Sequence, residues 1–334
     1  MSRAAGSEIF DALERGLEPL AASRPRLALS LAAGLGRLRN RLSRRWPGPE
    51  QIRALFPRLD GRAAARVAWS VGGLEARNRL AVECIRRAGL EPLRPLVRTP
   101  GSFAALRPPL ILGTFHAGAV HALGPALERL PAPVLALRQG PLFVSRPPLE
   151  VATTEGDDQS RAALFHRAIE HLGRGGFVAM ALDVAPGPGL QAACLGRPLV
   201  LARGPFAMAR LTGAPVVPLM GRWRGSEVEI VVGPHPLAPS PVTGRGGKHR
   251  GEEDGRGRPS PGDGRGDGGE GPDGDRTRTA DSEISDWAAG PEAWESSLAA
   301  SAARWLERYL LASPAEIGLG LLRNLLGRDL TGGS

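Results

Sequence analysis

Hydrophobic positions along the chain follow two different periods, and the two periods alternate. Five short apolar runs are typical of buried strands, and they cover residues 108–115, 133–138, 177–184, 214–220 and 226–233. The segments that separate most of these runs have the spacing of amphipathic helices, and several of them end at a glycine. Because strands that alternate with helices build layered sheets, the sequence predicts a domain of the α/β class.

The N-terminal segment carries a longer helical pattern. Apolar side chains recur at steps of three and four residues, at Leu27, Leu31, Leu35, Leu38, Leu42 and Trp46. Arginines fill the rest of the second half of this segment, and WPGP at 46–49 ends the helix. The pattern fits a helix in a membrane interface, and equally an amphipathic helix that packs on the domain. We therefore predict a basic amphipathic region over 1–49 with a possible membrane contact.

A change in composition marks a third region. Residues 236–286 are rich in glycine, nearly free of large apolar side chains, and contain eleven acidic and eight basic residues. Such a segment cannot form a core, so we predict a disordered insert here. It separates an α/β core over 50–235 from two C-terminal helices over 287–328, which we expect to pack on that core. The insert is net acidic, so the positive charge of the protein belongs to the rest of the chain.

Composition removes several classes of function. The net charge is +9 with a single lysine, Lys248, so arginine supplies the positive charge, which suits an anionic partner. Aromatic residues make up only 4% of the chain, which argues against stacking on nucleic-acid bases, and we predict no nucleic-acid partner. The sequence contains neither a GxSxG motif nor a phosphate-binding GxxxxGK[ST] loop. The N-terminus lacks the pattern of a cleavable signal, and no run is suited to crossing a membrane.

Two histidines follow the first predicted strand, at His116 and His121. A zinc site would favour a four-residue step and further ligands, so we predict no metal. A histidine just beyond the end of a buried strand lies at the edge of the sheet, where α/β proteins open their clefts. With an ordinary pKa near 6.5, His116 suits a general base.

Four blocks of the sequence, in order, resemble one known family. GTFHAGAVH resembles the first block of the lysophospholipid acyltransferase superfamily, in particular its lipid A (lauroyl/myristoyl) acyltransferase branch, which carries H-x4-D/E. GRGGFVAMALDVAPGPG resembles the strand that ends in an Asp-containing loop, and LGRPLVLARGPFAMARLTGAPVVP resembles the long third block. SEVEIVVGPHPL and ARWLERYLLASPAEIGL resemble the closing strand and the C-terminal helices. The resemblance spans roughly 50–328 without the insert, and implies a single acyltransferase-type domain with a mixed sheet flanked by helices.

The resemblance implies a function and a set of site residues. It implies transfer of a fatty acyl chain from acyl carrier protein or acyl-CoA to a hydroxyl of a glycolipid or lysophospholipid, with no resident cofactor. It places the protein at the cytoplasmic face of a bacterial inner membrane. There the basic helix over 27–46 would supply a peripheral contact with anionic lipid, in place of the transmembrane anchor that many relatives carry. His116 would be the general base and Asp183 a second catalytic residue. Substrate contacts would involve Arg138, Arg146, Gly118 and His121. A further contact would be Arg197, which would bind a phosphate.

One position departs from the family pattern. His121 stands where the family has Asp or Glu, and histidine cannot supply a fixed negative charge. Three interpretations follow: Asp183 or another acid replaces the missing partner, a weaker enzyme works without one, or the chain is an inactive relative. The alternative function is therefore a non-catalytic protein that binds lipid or acyl carrier. For His121 itself, packing or a hydrogen bond within the site is the expected role.

Overall fold

The computed structural model describes residues 3–43, 47–139, 147–154, 157–184, 189–234 and 290–327. The predicted insert at 236–286, Trp46 and Arg146 lie outside these ranges. The helices are α1 (Arg3–Gly16), α2 (Glu18–Ser23), α3 (Pro25–Ser43), α4 (Pro49–Leu55), α5 (Gly61–Ala88), α6 (Gly101–Ala104), α7 (Gly124–Leu127), α8 (Asp158–Gly173), α9 (Arg203–Thr212), α10 (Pro291–Ala312) and α11 (Leu319–Leu326). The strands are β1 (Val97–Arg98), β2 (Leu110–Thr114), β3 (Val134–Gln139), β4 (Leu149–Thr154), β5 (Phe177–Ala181), β6 (Leu190–Cys194), β7 (Arg197–Leu201), β8 (Val216–Arg224) and β9 (Glu227–Val232).

Seven of the strands form one mixed sheet in the order β1-β9-β8-β2-β5-β3-β4. The five strands from β8 to β4 in that order are mutually parallel, and β9 pairs antiparallel with β8. Strands β6 and β7 form a separate antiparallel hairpin. The α/β class and the mixed sheet predicted from the sequence are therefore confirmed.

The central strands are apolar on both faces, because helices cover both sides of the sheet. In β2 every side chain is buried: Leu110 and Leu112 point to one layer, and Ile111 points to the other. The first layer contains α3, α5 and α7, and the second contains α8, α9, α10, α11 and the β6–β7 hairpin. A parallel strand buried on both faces reads as a continuous apolar run, which is why the sequence identified these strands.

Local signals explain several helix ends. The Asp60 side chain accepts a hydrogen bond from the backbone nitrogen of Ala63 at 2.6 Å and caps the start of α5. The Asp157 side chain caps α8 in the same way, at 2.8 Å from the nitrogen of Ser160. Carboxylates are favoured at these positions because they satisfy backbone donors that the helix leaves unpaired.

Helix α3 packs against α5 through small residues. A Cβ atom built on Gly36 would lie 2.2 Å from the carbonyl oxygen of Gly72, and one built on Gly72 would lie 2.5 Å from that of Gly36. Ala28, Ala32 and Gly36 are buried on this side of α3. The two helix backbones approach closely here, and a larger side chain at the crossing would separate them.

Four of the five leucines of the sequence stripe lie on the opposite side of α3, and the fifth, Leu35, is half-buried. Leu27, Leu31, Leu38 and Leu42 are 46%, 45%, 45% and 66% exposed, respectively, and we call these four residues the leucine stripe. The prediction left open whether this helix packs on the domain or presents an apolar face. It does both, because the small residues face inward and the leucines face outward. Among the described residues, no helix is long and apolar enough to cross a membrane.

Other elements were not predicted or differ from expectation. The sequence analysis did not predict the first two helices, the two-residue strand β1, the edge strand β4 or the β6–β7 hairpin. The segment after His116 was expected to lead into a full helix. It forms instead a 3-10 helix at Val120–Leu123 followed by the single turn α7. The C-terminal segment forms two helices separated at Ser313, as predicted.

Candidate active site

The sheet register brings His116 and Asp183 together. Strands β2 and β5 are parallel neighbours, and Thr114 pairs with Ala181 at their carboxyl ends. Each functional side chain follows two residues later, and the backbone nitrogen of Leu182 donates to the carbonyl of Thr114 at 2.7 Å. Two residues that are 67 positions apart in sequence therefore lie side by side at the edge of the sheet.

Asp183 holds His116 through both carboxylate oxygens. The ring Nδ1 of His116 lies 2.9 Å from Oδ1 of Asp183, and the backbone nitrogen of His116 donates to Oδ2 at 2.9 Å. The Asp183 side chain is 1% exposed, whereas that of His116 is 38% exposed. A carboxylate at Nδ1 favours the tautomer with the proton on that nitrogen, which leaves the Nε2 lone pair available for a reacting group.

The surroundings of His116 shift its titration. The hydrogen bond that the His116 ring donates to Asp183 raises the pKa of His116 above its ordinary value, and this outweighs the opposing effect of burial. The nearby carboxylate of Glu75 also raises this pKa, and the Arg138 guanidinium lowers it. Glu75 was not among the predicted site residues. It lies on α5, and no local motif connects it with His116.

The C-terminal helix α11 supports both members of the pair. The Asn324 side-chain nitrogen donates to the backbone carbonyl of Asp183 at 3.2 Å. Gly318 lies so close to His116 that an added Cβ would be 2.1 Å from the carbonyl oxygen of His116. Phe115, just before His116, is buried and stacks on Trp305 of α10 at 6.2 Å between ring centroids. These contacts fix the position of the loop over 115–119 that carries His116, which we call the histidine loop.

Gly118 has a structural role in this loop. Its φ of +59° is favoured by glycine, and an added Cβ would lie 2.0 Å from the carbonyl oxygen of Gly221. Its nitrogen donates to the carbonyl of Glu316 at 2.7 Å, and its carbonyl accepts from Asn78 at 3.0 Å. Gly118 is not among the described residues that line the cavity beside His116, so the predicted substrate contact is not supported by its position.

That cavity, which we call the slot, has a volume of about 520 Å³ and an apolar lining. A volume of this size lies within the range of small-molecule sites. The slot extends from His116 between α7, α8, α9 and the sheet. Its larger apolar side chains are Val120, Leu123, Leu127, Leu137, Leu164, Phe165, Met180, Val184, Pro205 and Met208.

Three arginines also line the slot, namely Arg138, Arg161 and Arg203. Arg138 is half-buried at the end of β3 and has no ion-pair or hydrogen-bond partner within the described part of the chain. Arg203 pairs with Glu295 at 2.6 Å. Arg138 was predicted as a substrate contact, and the structure brings it to the slot. Arg161 and Arg203 were missed, although Arg203 lies two positions after the end of β7 and begins α9.

The other two predicted arginines are not brought to the slot. Arg197 is exposed at the start of β7, opposite Cys194, and is not among the slot-lining residues of the described chain. Its predicted phosphate contact stays a prediction. Arg146 lies outside the described residues.

His121 lies in the wall of the slot, on the 3-10 helix after the histidine loop. Burial lowers the pKa of His121 to about 4, with smaller contributions from Arg138 and His116. The ring is therefore neutral at physiological pH and does not replace an anionic partner of His116. The carboxylate at His116 comes from Asp183, as the first of the three interpretations expected.

Comparisons with known proteins add no identification. No protein-family model matches the chain, and no curated protein matches it. Within the described ranges there is no group of three His, Cys, Asp or Glu side chains that could hold a metal ion.

Proposed function

We propose that this protein is an acyltransferase that moves a fatty acyl chain from a thioester of acyl carrier protein or CoA to a hydroxyl of a glycolipid or lysophospholipid. One observation carries the proposal: a His116–Asp183 pair lies in the wall of a slot whose lining is mostly apolar. A general base beside an apolar cavity is the arrangement that an acyl donor and an alcohol require.

In the proposed reaction, Nε2 of His116 removes the proton of the acceptor hydroxyl as its oxygen attacks the thioester carbonyl. The C–O bond forms, the C–S bond breaks, and the proton passes from the imidazolium to the departing thiolate. Asp183 remains ionised, orients the ring and stabilises the imidazolium. The elevated pKa of His116 helps the ring to hold this proton during the reaction.

The lining of the slot favours direct transfer over a covalent acyl-enzyme. Among the described residues that line it, Thr114 has the sole hydroxyl group, and no cysteine is present. The Thr114 hydroxyl donates to the carbonyl of Met180 at 3.3 Å, so it is already engaged. The guanidinium of Arg138, which has no partner among the described residues, suits a phosphate of the donor or the oxyanion of the transition state.

We further propose that the protein docks peripherally on an anionic membrane, at the cytoplasmic face of a bacterial inner membrane, through the leucine stripe. Six large apolar side chains are exposed within residues 9–42, namely Ile9, Leu13 and the four leucines of the stripe. Arg26, Arg37 and Arg41 are exposed along the same helix. An apolar face flanked by arginines is suited to the boundary between lipid headgroups and acyl chains.

Replacement of the proposed base tests the function. The purified full chain is incubated with a radiolabelled acyl thioester and a bacterial lipid extract, and label in the lipid fraction is measured. His116→Ala should reduce transfer by about 10²- to 10⁴-fold. His166→Ala, an exposed histidine on α8, is the matched control and should retain activity. Equal transfer by His116→Ala and the wild type would refute the mechanism.

The same experiment decides the alternative function. A non-catalytic protein that binds lipid or acyl carrier would show no transfer in the wild type, although a fatty acid would still bind in the slot. A comparison of lipids from a deletion strain and its parent would then identify the acceptor, because the missing acyl chain marks it directly.

A further inference from the structure

The slot covers both faces of the sheet at its carboxyl edge. Successive side chains of a strand point to opposite faces, and the slot is lined by two successive residues of β3, Ala136 and Leu137, and of β5, Ala179 and Met180. Ala136 and Ala179 belong to the core layer that contains α7. Leu137 and Met180 pack against the layer that contains α8 and α9. The slot therefore has two branches, one on each face, which we call the α7 branch and the α9 branch.

The α7 branch ends at a closed floor. Ala136 and Ala179 are register partners, and we call them the alanine pair. Two positions deeper on the same face, Val134 pairs with Phe177. Both of these side chains are fully buried, and neither is among the slot-lining residues of the described chain. The branch therefore closes between the two pairs. The strand residues of the α9 branch lie one position nearer the carboxyl edge, so that branch is shallower by about 3 Å.

Small side chains at the alanine pair create the depth of the α7 branch. On the adjacent strand β2, Leu112 lies at the same level, opposite Ala179, and is fully buried. Buried parallel strands are rich in Val, Ile and Leu, and alanine is depleted in strands. Leu123 and Leu127 cover the branch from the 3-10 helix and from α7. Two alanines in register therefore leave room beneath these leucines that a larger side chain at either position would fill.

Arg138 and His116 mark the open end of the α7 branch. Arg138 lies two positions beyond the alanine pair on the same face of β3, and it lines the slot. Thr114 and its partner Ala181 also lie two positions beyond the pair, and His116 follows Thr114 by two more. At the rise of a strand, these four positions span about 13 Å. An extended hydrocarbon chain advances roughly 1.25 Å per carbon, so about ten carbons fill this depth.

We propose that Ala136 and Ala179 limit the length of the acyl chain, which enters the α7 branch and ends with its methyl group against the alanine pair. The protein would thereby select chains of about ten carbons over longer ones. The assignment rests on the proposed function in one respect, which is that the ligand of the slot is an acyl chain. It adds the branch that the chain occupies, its length and the two residues that set this length.

Binding of unbranched fatty acids of increasing length, from hexanoate to hexadecanoate, tests this limit. Each acid is titrated into the full chain below its micellar concentration, and its affinity is measured by calorimetry. In the wild type, affinity should rise about fourfold for each added carbon up to about ten carbons, because each methylene that enters the branch is removed from water. Beyond that length the affinity should stop rising.

Ala136→Val and Ala179→Val each add two carbons at the closed end, and valine is favoured in strands, so the fold should be retained. Octanoate should bind each variant within about twofold of the wild type, whereas decanoate should bind about tenfold more weakly or worse. Either position alone suffices if the other variant does not fold.

Two further variants serve as controls. Leu164→Trp fills the α9 branch from α8, and it should leave the ratio of decanoate to octanoate affinity unchanged. Arg138→Gln removes the cation at the open end, so it should weaken the binding of both acids by the same factor.

Three results would each overturn the chain limit: a wild-type affinity that rises up to hexadecanoate, an equal loss of both acids in the valine variants, or a selective loss of decanoate in Leu164→Trp alone. None of these measurements requires turnover. A limit on fatty-acid length without acyl transfer would retain the role of the alanine pair and refute the proposed function. Acyl transfer whose preferred thioester length is the same in the wild type and the valine variants would do the opposite.

Discussion

The slot and the leucine stripe are built from similar residues and differ in shape. Both combine leucines with arginines, and both lie on helices that cover the central sheet. The slot is concave, with a volume of about 520 Å³, and His116 opens onto it. The leucine stripe is convex, and its side chains are 45% to 66% exposed. We infer that the concave surface takes a single acyl chain and the convex one contacts an extended lipid surface.

The comparison shows that composition does not determine what an apolar surface does. A concave surface excludes water from an enclosed group, so the His116–Asp183 pair can act on a bound molecule there. A convex helix face cannot enclose a ligand, and it gains free energy by insertion into an apolar medium. Substitutions in the slot should therefore leave membrane contact by the leucine stripe unchanged, and substitutions in the leucine stripe should leave ligand binding in the slot unchanged.

The largest expected effect is that of Asp183→Asn, which alters the chemistry beside the slot and leaves its shape. We expect transfer to fall on the order of 10³-fold, because the amide no longer favours the reactive tautomer or stabilises the imidazolium. Asp183 is the main cause of the raised pKa of His116. The proposed base would work as neutral imidazole, so we expect activity to fall as pH drops through this pKa, and we expect that fall at lower pH in the variant.

The measurement is the pH profile of kcat/KM for the wild type and Asp183→Asn. Binding to anionic vesicles should be the same for both proteins. Asp183 would be a structural residue if Asp183→Asn retained full activity and its kcat/KM fell at the same acidic pH as that of the wild type.

The next effect concerns the convex surface. Leu31→Gln, Leu38→Gln and Leu42→Gln together should lower the affinity for anionic vesicles by about 100-fold, since each leucine contributes about 1 kcal/mol when its exposed part is buried. Glutamine retains the helix propensity of α3. The measurement is co-sedimentation with vesicles. Leu311→Gln, which is 57% exposed on α10, is the matched control and should bind as the wild type does.

Slot chemistry should not change in the triple variant. Decanoate binding equal to that of the wild type is expected, and unaltered vesicle affinity would remove the leucine stripe from the proposal. Point variants are preferable to deletion of residues 27–46, because α3 also packs against α5 through its buried face.

A smaller effect tests the orientation of α3. Gly36→Ala should lower the free energy of unfolding by about 1–3 kcal/mol, because the added Cβ would lie 2.2 Å from the carbonyl oxygen of Gly72. Gly34→Ala in the same helix has no atom within 4 Å of the added Cβ, and should stabilise the protein by roughly 0.5–1 kcal/mol. Urea unfolding measures both. Equal effects of the two substitutions would contradict the inward position of Gly36.

The last effect is that of the arginines beside the stripe. Arg37→Gln with Arg41→Gln should weaken binding to anionic vesicles by about 1 kcal/mol for each charge removed, and the loss should diminish at high salt. Neutral vesicles should show no difference. Arg53→Gln, an exposed arginine of α4, is the control substitution. An equal loss on neutral vesicles would assign the effect to packing of α3 instead of to charge.

Much of the fold was accessible from local patterns. The strands β2, β3, β5, β8 and β9 were predicted from short apolar segments, and the central strand β2 is a continuous apolar run because it is covered on both faces. Strand β4 lies at the edge of the sheet and the β6–β7 hairpin lies outside it, so neither has that signal. A longer helix was expected where the short turn α7 lies. That expectation was wrong because the apolar residues there reflect burial and not a helical period.

The candidate site was accessible only in part. His116 was named from its position after an apolar strand, whereas Asp183 and Arg138 were named from the resemblance of the surrounding sequence to the acyltransferase family. Arg203, Arg161 and Glu75 were missed. They reach the same region from α9, α8 and α5, and no spacing in the sequence relates these helices to the histidine loop.

The sequence by itself determined the α/β class, the principal strands and helices, and the histidine at the carboxyl end of β2, because these features follow from local burial and periodicity. Only the tertiary structure decided that Asp183 is the partner of His116, since that contact depends on the register of Thr114 with Ala181 across 67 residues. It also decided which face of α3 is exposed. The leucine pattern alone fits an inward and an outward face equally, and the close approach of Gly36 to Gly72 turns it outward.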